Sequence, residues 1–182
     1  MAGYGGGDGS NLILLVAAIL LSFERIAYVV VWRQPEMFRA WCERAKLGPP
    51  VLALRRMFYV FKVIQGVAFV SWCVYFAGDS LPLAAPGLHL AIGAMLIAIG
   101  QTFNFGVFYR LGTVGVFYGN RFGHEVAWCR DFPFSILDHP QYVGALLSIW
   151  GFFIAMRFPA GDWYAIPLLE SAYYLIGARL ES

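Results

Sequence analysis

Charge is what this sequence has least of. Thirteen Lys and Arg and eleven Asp and Glu residues make up 13% of the 182 positions, against 60% hydrophobic residues. Soluble domains carry about a quarter charged residues. With a mean hydropathy of +0.65, the chain cannot hide its apolar excess in one aqueous core, so lipid must solvate much of its surface. The net charge of +2 comes without a block of like charge or aromatic–basic interleaving, which excludes nucleic acid as a partner. Cys42, Cys73 and Cys129 are scattered, with no CxxC pair and no clustered histidines. Neither a disulfide framework nor a metal site is expected, and the three read as free thiols. Residues 1–11 are Gly-rich and lack the basic residue and cleavage site of a secretory signal. They read as a flexible amino terminus, and the first apolar run is expected to stay in the protein. No strand precedes any Gly-rich motif, so a Rossmann-type cofactor domain is excluded.

What is present is a series of apolar runs near the roughly 20 residues that a membrane span requires. They are Leu12–Trp32, Met57–Phe76, Leu88–Phe108, Tyr142–Phe158 and Trp163–Leu180. The fold class is therefore all-α, a polytopic membrane helical bundle of about four to five spans in one domain, 1–182. The first run is interrupted by Glu24 and Arg25. A charge at mid-bilayer costs about 2.5–3.5 kcal/mol on insertion scales, so this segment is either re-entrant or pressed against polar neighbours. Residues 33–56 read as a polar connector broken at Gly48-Pro49-Pro50, and Lys62 as close enough to the start of its span to snorkel. The short turn at Pro159–Asp162 predicts an antiparallel hairpin of the last two spans. The basic connector belongs in the cytosol by the positive-inside rule, and the Gly78–Gly87 turn, which has no basic residue, outside.

Polar residues inside apolar runs need a reason. Gln101 and Asn104, three apart, share one helical face with Gly100 nearby; they read as amides bonding between helices or as groups that meet a ligand. Glycines 112, 115, 119 and 123 give a helix one face without side chains, suited to close packing or to a flat cofactor. In the run Asp131–Gly144, Pro140 suits the first turn of a helix. That sets Asp138 or His139 at the N-cap, where free N–H groups can hold an anion.

Taken together, GQTFNF, LGTVGVFYGNRFG and FPFSILDHPQYVG, from Gly100 to Gly144, resemble the phospholipid N-methyltransferases, most of all the plant and algal type. The resemblance is dense over about 45 residues and looser elsewhere. It implies S-adenosylmethionine as methyl donor, a phospholipid acceptor within the bilayer, and an endoplasmic reticulum membrane location. It implies methylation of phosphatidylethanolamine and its mono- and dimethyl derivatives, leading to phosphatidylcholine, with residues 98–144 as the core cofactor and substrate region. The family assigns part of the donor site to a Gly-x-Gly stretch, here Ala98-Ile99-Gly100, and part to paired acids after the last span, here Glu181 followed by Ser182. HPxYxG also occurs in isoprenylcysteine carboxyl methyltransferases and sterol reductases, which stand as alternatives beside a non-enzymatic scaffold or transporter.

Methyl transfer to an amine needs alignment, a dry site and a neutral acceptor nitrogen. Ethanolamine headgroups are protonated at neutral pH, so a base or desolvation must free the lone pair. His139 is favoured as base because imidazole titrates nearest neutrality, with Asp138, Glu125, His124 and Glu181 as the other candidates. Tyr118 and Tyr142 can face a sulfonium or methylated ammonium. Gly119 and Asn104 complete the expected cofactor contacts, and Arg121 and Arg130 are candidates for the lipid phosphate.

Overall fold

The structure, a computed structural model, describes the backbone of residues 7–75, 87–127 and 129–181. Most of the expected amino-terminal segment, the turn up to residue 86, and Ser182 lie outside the described residues. Six α-helices and no strand form among the described residues. They are α1 (Gly7–Arg33), α2 (Pro35–Arg44), α3 (Pro50–Tyr75), α4 (Gly87–Val116), α5 (Pro140–Met156) and α6 (Ala165–Glu181). The first, third and fourth are long and apolar enough to cross a membrane. At 17 residues each, α5 and α6 sit at the lower limit of about 17 for a span. The all-α membrane bundle is as expected.

Three local readings change. The helix α1 runs unbroken across Glu24 and Arg25, so the re-entrant alternative falls away and the polar-neighbour alternative holds. The connector is not irregular throughout. It contains α2, whose Phe38 and Cys42 are buried against the bundle. Gly48-Pro49-Pro50 ends the loop after α2 and starts α3, since proline is tolerated in a helix's first turn. The glycine run after the third span is not a one-faced helix either. Gly112 adopts φ 60°, ψ −174°, a conformation open in practice to glycine alone. The chain bends there, passes through Tyr118 in the left-handed region, and makes a short 3-10 turn at Gly119–Phe122. It bends because Gly112 leaves the helical region, and that bend brings Tyr118 back towards α1.

The tightest helix pair is α4 with α5. Gly93 faces Gly151 and Gly100 faces Gly144, seven residues apart on each antiparallel helix. A Cβ at Gly93 would lie 2.6 Å from the Gly151 carbonyl oxygen and 2.8 Å from Ala155 Cβ. Without side chains the backbones touch, which in lipid replaces the missing hydrophobic drive with van der Waals contact. Gln101 Nε2 donates to Ser148 Oγ at 2.8 Å across the same seam. The hairpin of α5 and α6 forms as expected. Arg157 grips Asp162 through two bonds of 2.9 and 3.1 Å at its turn, and Trp150 Nε1 donates to Ser171 Oγ.

The seam gives a direct test. Gly93→Leu should lower the thermal midpoint of the purified protein, because overpacking costs about 1–3 kcal/mol. Gly66→Ala, where an added Cβ meets nothing within 4 Å, should leave the midpoint unchanged or raise it. Equal midpoints for Gly93→Leu and wild type would disprove the seam.

Candidate active site

Five helices surround one cavity of about 970 Å³, at the upper end of the roughly 300–1,000 Å³ of ligand pockets. Around it α1 packs on α3 and α6, and α5 packs on α4 and α6, but α3 and α4 barely touch. Leaning on α5 through its glycines, α4 leaves a gap on its α3 side. Gly66 of α3 lines the cavity at this gap, with open space where a side chain would be. One end of the gap is closed by Phe58, which meets Phe108 and Phe117 at 6.2 and 5.5 Å between ring centroids.

The inner wall is polar. Glu24 and Arg25, both over 90% buried, form an ion pair of 3.1 Å. From α3, Lys62 Nζ reaches the same Glu24 oxygen at 3.0 Å and donates to Gln65 Oε1 at 3.0 Å. Gln65 Nε2 in turn donates to Glu170 on α6 at 2.8 Å. Arg25 sits over Tyr174, its guanidinium carbon 3.7 Å from the ring centroid. The expected snorkelling of Lys62 does not occur, because α3 begins at Pro50 rather than Met57 and so carries Lys62 about three turns inward. There the charge of Glu24 is the nearer partner.

Aromatic rings line the remainder. Tyr118 meets Tyr28 and Trp32 edge-on at 5.9 and 5.2 Å. Tyr142 stacks beside His139 at 5.9 Å and meets Tyr174 at 5.4 Å. A ring-lined path thus connects the buried charges to His139. That histidine occupies the N-cap position of α5 with Pro140 after it, as the sequence predicts, but its side chain makes no capping bond. Its carbonyl accepts from Tyr142 and Val143 instead, so the imidazole is not spent on the helix end.

Of the residues singled out from sequence, His139, Asp138, Asn104, Tyr118 and Tyr142 line the cavity together. The buried Oδ1 of Asn104 has no hydrogen-bond partner within the protein and lies against Gly144 in the α4–α5 seam, where Gln101 is bonded to Ser148. Gly100 is used in the seam and Gly119 in the turn, where a Cβ would strike Val114. Ala98, Ile99 and Glu125 are exposed and do not line the cavity. Arg121 covers the Trp32 ring at 3.8 Å and does not line the cavity, and Arg130 is exposed on the loop before α5. Arg110, also on the polar end, pairs with Asp131 at 3.2 Å. Glu181 ends α6, with its side chain outside the described residues.

Sequence reasoning marked Glu24 and Arg25 as costly but gave them no place in the site, and it missed Tyr28, Gln65, Glu170 and Tyr174. An ionisable residue in an apolar run is itself a signal of function. The partners are separated from it by up to a hundred residues and more, so no local spacing reveals them. Cys42 is buried, and that burial, with Glu43 beside it, holds its thiol above the ordinary range, consistent with a packing role.

Residues 88–182 match the phospholipid methyltransferase family. Phosphatidyl-N-methylethanolamine N-methyltransferase of Arabidopsis thaliana is 31% identical over 142 residues, covering 75% of either chain. Phosphatidylethanolamine N-methyltransferase of Homo sapiens is 35% identical over 172 residues, 92% of this chain and 83% of that one. The Saccharomyces cerevisiae phosphatidyl-N-methylethanolamine N-methyltransferase is 32% identical over 71 residues, 38% of this chain and 34% of its own. No solved structure matches the chain. The family match covers α4 to α6, and the human relative extends the likeness over the α1 and α3 walls of the cavity. This chain belongs to the phospholipid methyltransferase family and is a membrane-embedded methyltransferase.

Proposed function

We propose that the chain transfers methyl groups from S-adenosylmethionine to the headgroup amine of phosphatidylethanolamine or its mono- and dimethyl derivatives, towards phosphatidylcholine, in the endoplasmic reticulum membrane. The observation that carries this reading is the cavity itself. It opens sideways where α3 and α4 part, yet it is walled by charges and aromatic rings. An amphiphile needs both features, an apolar way in for its chains and a polar place for its head. The positive-inside rule places the arginine-rich, His139 end of the bundle in the cytosol. The whole chain acts as one methyltransferase domain, its site reaching beyond residues 98–144 to α1, α3 and α6. Family membership disfavours the prenylcysteine, sterol and scaffold readings.

When bound, S-adenosylmethionine supplies its methyl group as the electrophilic substituent of a sulfonium. The residues fit such a guest. The Asn104 side chain lines the cavity with an amide that can turn to meet the guest's amino or hydroxyl groups, and Tyr118 and Tyr142 offer rings to a cation. The remaining work belongs to the protein. The aromatic wall excludes water and holds the acceptor nitrogen in line. His139 takes the ammonium proton, with Asp138 beside it to favour the imidazolium that forms. A fully methylated nitrogen has no proton to give and no lone pair, so the sequence of transfers ends there.

Purified protein with labelled methyl donor and each of the three acceptor lipids should yield labelled phospholipid, resolved by lipid chromatography. Transfer to none of the three would refute the reading. His139→Asn retains a polar cap-forming side chain but not a base. General-base catalysis contributes about 10²–10⁴-fold, so turnover should fall by a comparable factor with donor affinity kept. Raising pH should recover part of the loss, because more of the amine is then neutral without help. Turnover near wild type in His139→Asn would shift the proton to Asp138 or to desolvation alone.

A further inference from the structure

We propose that Arg25, Tyr28 and Lys62 form an oxyanion subsite on the inner wall of the cavity, a step that rests on the phospholipid-methylation reading. All three line the cavity. Tyr28 lies one turn beyond Glu24 and Arg25 on the same face of α1. The Arg25 guanidinium carbon is 5.7 Å from the Tyr28 ring centroid. Arg25 and Lys62 converge on a single oxygen of Glu24, at 3.1 and 3.0 Å.

Glu24 has little left to give a cation. One of its oxygens accepts from both basic side chains and the other from Lys62 at 3.3 Å. Its part is to fix the two cations side by side. What remains unused is donor capacity. Arg25 Nε and Tyr28 OH are buried with no hydrogen-bond partner within the protein, in residues that are 9% and 8% exposed. Glu170 is held by Gln65 and does not line the cavity. The cavity-facing charges of this wall are therefore two cations against one carboxylate. The orphaned donors are unfavourable when empty; an anion with several oxygens would use them beside the two cations, which the network itself balances with Glu24 and Glu170. A network that served only to join α1 to α3 would have no reason to leave these donors unpaired in residues that line the cavity.

Two ligands of the reaction carry such a group. The acceptor lipid has a phosphate, and the methyl donor has the carboxylate of its amino-acid end. The experiment compares wild type, Tyr28→Phe and Lys62→Met, each as the full chain in lipid nanodiscs. It measures equilibrium binding of S-adenosylmethionine and of its decarboxylated analogue, binding of phosphatidylethanolamine, and thermal midpoint without ligand. Tyr28→Phe removes a hydroxyl that bonds nothing within the protein, so its midpoint should equal that of wild type. Lys62→Met leaves Glu24 its Arg25 partner. A hydrogen bond to a charged group is lost in each case, so one ligand should weaken by about tenfold or more while the other holds. If the oxyanion is the donor's carboxylate, wild type prefers the intact donor over the decarboxylated analogue and both variants lose that preference. If it is the lipid phosphate, both donor forms bind as before and the lipid binds more weakly. Variants that bind both ligands as wild type does, or weaken both equally, overturn the subsite alone. Wild type that binds neither ligand overturns the subsite and the proposed function together.

Discussion

Two carboxylates and two cations at hydrocarbon depth constrain everything else in this fold. On insertion scales each would cost about 2.5–3.5 kcal/mol at the middle of a span. Glu24 and Arg25 are adjacent on α1, and α1 alone gives them no one but each other. Lys62 from α3 and the Gln65–Glu170 bond across to α6 complete the network. Leaving a member of such a group with no partner at all is the expensive state. The network therefore fixes α1 between α3 and α6, and that placement makes one wall of the cavity polar.

The opposite wall is set by a different force. Backbone contact at Gly93–Gly151 and Gly100–Gly144 draws α4 onto α5, away from α3. Two independent pairings, one ionic and one steric, thus pull the bundle into two halves joined at α5–α6, and the unclosed side becomes a lipid-facing opening. His139 and Tyr142, at the start of α5, stand where the halves meet. His139 at the N-cap and Tyr142 in the first turn are anchored by the helix that follows, which keeps the alignment that methyl transfer depends on.

Much of this was legible in the sequence. Hydropathy marked the spans, Pro140 marked the start of α5, and Asp138, His139, Asn104, Tyr118 and Tyr142 do share one cavity. The failures have physical causes. Gly100 and Gly119 are small because neighbours crowd them, and spacing alone does not say whether a neighbour is a helix or a ligand. The break at Gly112 depends on a positive φ, which glycine permits at any position and reveals at none. Arg121 was expected at a phosphate, but the Trp32 ring lies closer to hand. The polar wall was hidden for the plainest reason. Its members come from three separate runs, and only the folded chain brings them within reach.

The central claim is that the methyl donor lies inside this cavity, between the buried charges and His139. Irradiating the full chain with radiolabelled S-adenosylmethionine, then mapping the labelled peptides, tests it most directly. Label should fall on the peptides bearing Tyr28, Asn104, Tyr118 or Tyr142, and excess unlabelled donor should suppress it. Label confined to outward positions such as Ile99, Glu125 or Arg130, with none on the cavity residues, would contradict the account.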